Sequence, residues 1–133
     1  MITKLQDWQL RLEAFVAARQ TRHFAWGEND CAIFAADAVM ALTGVDVALP
    51  ELRTHKTAKQ ASRALKQRGG CMGIAIAALG QPAPIWQASI GDVVLAKSAG
   101  RELLAICNGQ TFLAPGPQGL CAMPMTDALL CWR

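Results

Sequence analysis

Leu5, Trp8, Leu12, Phe15 and Val16 recur at helical spacing, with Asp7, Arg11, Glu13 and Arg19 at the positions between them. This spacing predicts an amphipathic first helix over about residues 4 to 19. The next apolar stretch, GENDCAIFAADAVMALTG (residues 27 to 44), has apolar side chains on nearly every face. A helix of that kind is buried, so this one is predicted to form the centre of the core. Asn29 or Asp30 suits its N-cap, and Gly44 suits a left-handed C′ position. VALPELR (47 to 53) reads as a loop. Thr54 or Thr57 is placed to cap a third helix, which runs through KQASRALKQR and stops at Gly69-Gly70. Residues 71 to 79 are apolar throughout and fit a short helix or a strand, and GQPAP (80 to 84) reads as a turn or extended linker.

The texture changes after residue 84. SIGDVVLAK, LLAIC, QTFLA, GLCAMP and ALLCW are short apolar runs cut by glycine, proline or asparagine. Runs spaced in this way predict antiparallel strands and hairpins, with Ala99-Gly100 and Asn108-Gly109 as turns. Helices come first and strands after. The expected class is α+β, one domain over residues 1 to 133, with a helical half to about 80 packed on one side of an antiparallel sheet from about 84.

Composition narrows the function classes. Hydrophobic residues make up 53% of the 133, enough for a core and too many for a disordered chain. The longest apolar run, near CMGIAIAALG, is shorter than the roughly 20 residues a membrane span requires. MITKLQDWQLRLE is charged and amphipathic and lacks a secretory apolar region, so synthesis and retention in a cytosol are expected. Five cysteines (31, 71, 107, 121 and 131) are an odd number with no C-x-x-C pair. Neither a disulfide framework nor a closed zinc site is expected, and no cofactor is implied. Net charge is +3, yet six of the thirteen basic residues fall between Glu51 and Arg68, against one acid. Lys56, Lys59, Arg63 and Lys66 are candidates for a face that meets an acidic protein partner. Nucleic acid is the weaker reading, because no aromatic residue interleaves the charges to stack a base.

Cys31 would stand at the first turn of the second helix, where free N–H groups and the helix dipole favour a thiolate. A cysteine nucleophile also needs a base that can protonate a leaving group. His23, eight residues before Cys31 and across a turn, is the candidate within reach. His55 begins the basic helix, where capping or exposure accounts for it. Asp30 next to the thiol would raise its pKa by like charge, so it is assigned to the helix cap. Asp37 lies about 9 Å along the helix axis from Cys31 and is excluded by distance.

Trp26-Gly27-x-x-Asp30-Cys31, opening an apolar helix, resembles the nucleophile motif of the NlpC-like cysteine peptidases. Ile90-Gly91-Asp92-Val93-Val94-Leu95 is similar to the strand after that family's PGDL turn, and LLAICNGQTFLAP to its next two strands. The order of helices and strands also matches, and the likeness runs from about residue 5 to the end. The resemblance implies a papain-like fold with Cys31 as nucleophile, and it is nearest to a branch coded in phage and prophage tail-gene clusters. On the same alignment the family's catalytic histidine falls on Leu103 and its third polar residue near Leu113. Neither can move a proton. The expectation is therefore a structural or assembly component of a phage tail tip or baseplate, on a degenerate peptidase fold. Its partners would be other tail proteins, with peptidoglycan as a further one. It would reside in the host cytoplasm during assembly and then in the virion tail. The alternative is an active peptidase or amidase that opens peptidoglycan during infection.

Overall fold

A computed structural model of the chain describes residues 3 to 48 and 50 to 133. The expected loop VALPELR includes Leu49, which lies outside these residues, as do positions 1 and 2. The described residues form four helices followed by six strands, an α+β arrangement. The helices are α1 (Trp8–Arg19), α2 (Cys31–Thr43), α3 (Ala58–Gln67) and α4 (Gly70–Leu79). The strands are β1 (Ala83–Pro84), β2 (Val93–Ser98), β3 (Arg101–Cys107), β4 (Thr111–Gly116), β5 (Gly119–Pro124) and β6 (Ala128–Trp132). They make one antiparallel sheet in the order β1-β6-β2-β3-β4-β5. None of the helices is long and apolar enough to cross a membrane.

α2 is the central helix, as its composition predicts. Ile33, Phe34, Ala38 and Leu42 are almost wholly buried, each large one contributing about 1.5–3 kcal/mol on leaving water. Asp30 is its N-cap, and Gly44 closes it in the left-handed conformation at φ 78°. α1 packs on α2 through Leu12 and through Phe15, whose ring centroid lies 5.2 Å from that of Phe34. α1 starts at Trp8 rather than near residue 4, because Leu5 donates its N–H to the Leu42 carbonyl at the far end of α2. That bond draws the leading segment out of helical geometry.

Two ambiguous segments are resolved by tertiary contacts. Residues 71 to 79 are helical, with Cys71, Ile74 and Ala75 buried at i, i+3, i+4 spacing. Gly69 and Gly70, both at positive φ, turn α3 sharply into α4. The expected linker 80 to 84 supplies instead an edge strand, Ala83–Pro84, paired with Leu130 and Cys131 of β6. The proline sits at the sheet margin, where a missing N–H costs little. Thr57, not Thr54, caps α3 by accepting from Gln60 N–H.

The helices cover one face of the sheet through Val93, Leu95, Leu104, Ile106, Leu113 and Trp132. The other face is buried as well. Val94, Ala105, Cys107, Phe112 and Cys131 lie there, packed with Ala83 of β1 and with Ile85, Ala88 and Met125 from the flanking turns. Two-sided burial is why the strands read as continuous apolar runs rather than as alternation. Trp132 is in the core, whereas Trp86 is 79% exposed and so available to a partner.

Candidate functional site

The loop before α2 is fixed from several directions. Asp30 is buried and accepts two backbone hydrogen bonds, from Ile33 N–H at 2.9 Å and from Gly27 N–H at 2.9 Å. Asn29 is also buried. Its amide donates to the carbonyls of Arg22 and His23, and its oxygen accepts from Arg19 at 3.0 Å. Gly27 holds φ 77°, and a Cβ there would lie 2.2 Å from the His55 carbonyl oxygen. Only glycine allows the loop to press against that backbone. Trp26 is half-buried with its ring edge-on to Phe24 at 4.6 Å, a packing role. Beyond the loop, Asp37 is engaged by Arg19 and by Arg53, the latter at 2.9 Å, so it braces α2 against its neighbours.

Held by this loop, Cys31 occupies the first position of α2. Its sulfur meets a second thiol. Cys71 is the second residue of α4, so two helix N-termini converge where α2 and α4 approach β3. The Cys71 thiol donates a hydrogen bond to Cys31 and thereby lowers the Cys31 pKa. Burial and the nearby Asp30 carboxylate oppose this, while the Leu104 and Ala32 N–H groups assist it. The Cys71 thiol is pushed far up, first by that same hydrogen bond, then by burial and by the charges of Cys31, Glu102 and Asp30. Of the two, Cys31 is therefore the thiol that gives up its proton more readily, and Cys71 the one that holds it. Its sulfur also lies 3.7 Å from the Glu102 carbonyl oxygen. The Glu102 carboxylate reaches over Gly70, where a Cβ would come within 2.9 Å of Oε1.

The strand parity next to Cys31 differs from the family-like alignment. Leu103 packs on the far face of the sheet, and Leu104 is on the face toward the helices. Leu113 also faces the helices and is buried. Neither histidine is among the groups that act on Cys31. His23 is exposed, in the loop that Asn29 ties down. His55 is half-buried beside α3, with Nε2 buried and unpartnered among the described residues. It lines an open groove of about 560 Å3 together with Thr57, Lys59, Gln60 and Arg63. Lys56 and Lys66 are exposed on the same basic segment.

Sequence reasoning singled out Cys31 and Asp30 but missed Cys71 and Glu102. A signal for Cys71 was present: Gly-Gly-Cys opens a short apolar run, as Asp-Cys opens α2. The contact predicts a pH effect. Replacing Cys71 with alanine removes a hydrogen bond made to the charged form of Cys31, so the Cys31 pKa rises. The pH midpoint of Cys31 alkylation, followed by iodoacetamide labelling and peptide mass, is expected to move to higher pH in Cys71→Ala. An unmoved midpoint would mean that the second thiol does not poise the first.

Residues 3 to 133 match the family model described as a domain of unknown function, DUF6950. The chain belongs to the DUF6950 family. No curated protein matches it. The matched DUF6950 segment takes in the whole constellation just described, from Asp30 and Cys31 through Cys71 to the strand carrying Glu102 and Leu104.

Proposed function

We propose that this DUF6950 chain is a structural or assembly component of a phage tail tip or baseplate, built on an NlpC-like, papain-type fold without peptidase chemistry. The observation that carries the non-catalytic reading is the identity of the partner of Cys31. It is a thiol, where an acyl-transfer enzyme would need an imidazole. Cleavage of a peptide bond requires a group that can give a proton to the leaving amine near neutral pH. Cys71, with its pKa pushed far up, is poorly matched to that task. The tail assignment rests on the likeness of the Trp26–Cys31, Ile90–Leu95 and 103–115 segments to proteins of tail-gene clusters. Helices before a six-stranded antiparallel sheet are in keeping with it. The basic face around Lys56, Lys59, Arg63 and Lys66 and the exposed Trp86 would meet other tail proteins. Residence would be the host cytoplasm during assembly, then the virion tail.

The test is muropeptide release. Purified chain incubated with sacculi is expected to release no soluble fragments, and virions carrying Cys31→Ala are expected to remain infectious. Release by the wild type but not by Cys31→Ala would establish the rival reading, a peptidoglycan peptidase or amidase with Cys31 as nucleophile. The lowered pKa of Cys31 is the observation in favour of that rival.

A further inference from the structure

We infer that Cys31 and Cys71 are a redox pair, with Cys31 the thiol that a small hydroperoxide oxidises and Cys71 the thiol that resolves it into a disulfide. Four observations lead there. The two residues stand in the first turns of α2 and α4, and both helices contact β3. Both belong to one side-chain cluster on the helical face of the sheet, and their sulfurs are in hydrogen-bond contact. Their reactivities differ in the sense such a pair needs, since the helix terminus and backbone N–H groups around Cys31 favour its anion. Cys31 as a residue is half-buried, and Cys71 is buried.

No other pair of cysteines is placed to compete. Cys107 and Cys131 share the opposite face but sit on β3 and β6, with β2 between them. Two strand spacings are about 9.6 Å, beyond the roughly 7 Å Cα separation that a disulfide can span. Each has its own backbone acceptor, Gly109 O at 3.7 Å and Pro84 O at 3.4 Å. Cys121 is exposed on β5, away from the pair.

The chemistry balances with hydrogen peroxide as the oxidant. The Cys31 thiolate attacks one peroxide oxygen, an S–O bond forms and the O–O bond breaks. The departing hydroxide takes the Cys71 proton and becomes water. The Cys71 thiolate then attacks the Cys31 sulfur, the S–S bond forms, and the S–O bond breaks. The second hydroxide takes a proton from solvent. Two sulfurs lose two electrons in total, and one peroxide becomes two waters. The product fastens the start of α4 to the start of α2, so the helical layer would be stapled under oxidising conditions and released under reducing ones. This holds whether or not the chain sits in a phage tail.

Peptide mapping tests it. The intact reduced chain is treated with about one equivalent of hydrogen peroxide, quenched with catalase, alkylated and digested with trypsin without reduction. The thiols fall in separate tryptic peptides, 23 to 53 and 69 to 97. The expected result is loss of two hydrogens and a linked pair of those peptides. In Cys71→Ser the link is absent and Cys31 stops at sulfenic acid, which dimedone captures. Three results would each overturn the inference: Cys31 reaching sulfinic acid in the wild type while Cys71 stays free to alkylate; links formed through other cysteines instead; or no change at Cys31 when Cys121 has reacted. The wild-type map decides the matter even if the serine variant folds poorly.

Discussion

Replacing Phe34 with alanine is expected to cost about 3–5 kcal/mol, the largest loss of any single truncation considered. The side chain is fully buried at the middle of α2, and its ring lies against Phe15 of α1. It shares one cluster with Leu12, Leu95, Leu104 and Ile106, so it joins α1, α2 and the sheet. Alanine would leave a void among side chains that three different elements hold in place. Such a void cannot collapse by moving one element alone, which puts the cost toward the upper end of the range. Domains of this size are stable by about 5–15 kcal/mol, so a third or more of the total is at stake. Urea unfolding should show a midpoint lower by roughly 2 M at an unchanged slope, given slopes of about 1–3 kcal/mol/M. Phe34→Leu, which keeps most of the volume, should lose less than half as much. A loss below about 1.5 kcal/mol for the alanine variant would show that Phe34 is not the keystone of the helical layer.

Asp30→Ala is the second large effect, through polar rather than apolar contacts. Loss of the N-cap bond to Ile33 removes about 0.5–2 kcal/mol. The Gly27 N–H, now without an acceptor in a tightly packed loop, adds about 1–3 kcal/mol. Together about 1.5–5 kcal/mol corresponds to a fall in melting temperature on the order of 10 °C for a domain of this length. Asp30→Asn retains one oxygen for the helix cap and should fall by less than half as much. Thermal melts followed by circular dichroism separate the two variants. Equal melting temperatures for Asp30→Ala and the wild type would mean that the loop is held by Asn29 alone. Because Asp30 fixes the backbone on which Cys31 is mounted, the same variant should also blur the contact between the two thiols.

Much of this architecture was legible before any coordinates. The period of 3.6 in Leu5 to Val16, the largely apolar α2 bounded by Asp30 and Gly44, and Asn108-Gly109 between two short apolar runs are local signals. Each depends on a few neighbouring residues, so each survives translation into structure. The position of Cys31 at a helix N-terminus is of the same kind. The start of α1 was less legible, because a backbone bond from Leu5 to Leu42, distant in sequence, sets it. Whether 71 to 79 was helix or strand depended on the pocket that α2 and β3 offer it, and a uniformly apolar run carries no period to decide the matter.

The order of the elements, the central place of α2 and the helix-terminal position of one thiol follow from local residue patterns, because helix periods, caps and turns are short-range physics. What faces that thiol is set by long-range packing. Cys71 lies forty positions away, and its approach depends on the Gly69-Gly70 turn and on the packing of α4 over β3. Burial of both sheet faces likewise erased the alternation that would have told Leu103 from Leu104. Contacts between residues far apart in the chain are fixed by packing, and packing leaves no periodic trace in either segment read alone.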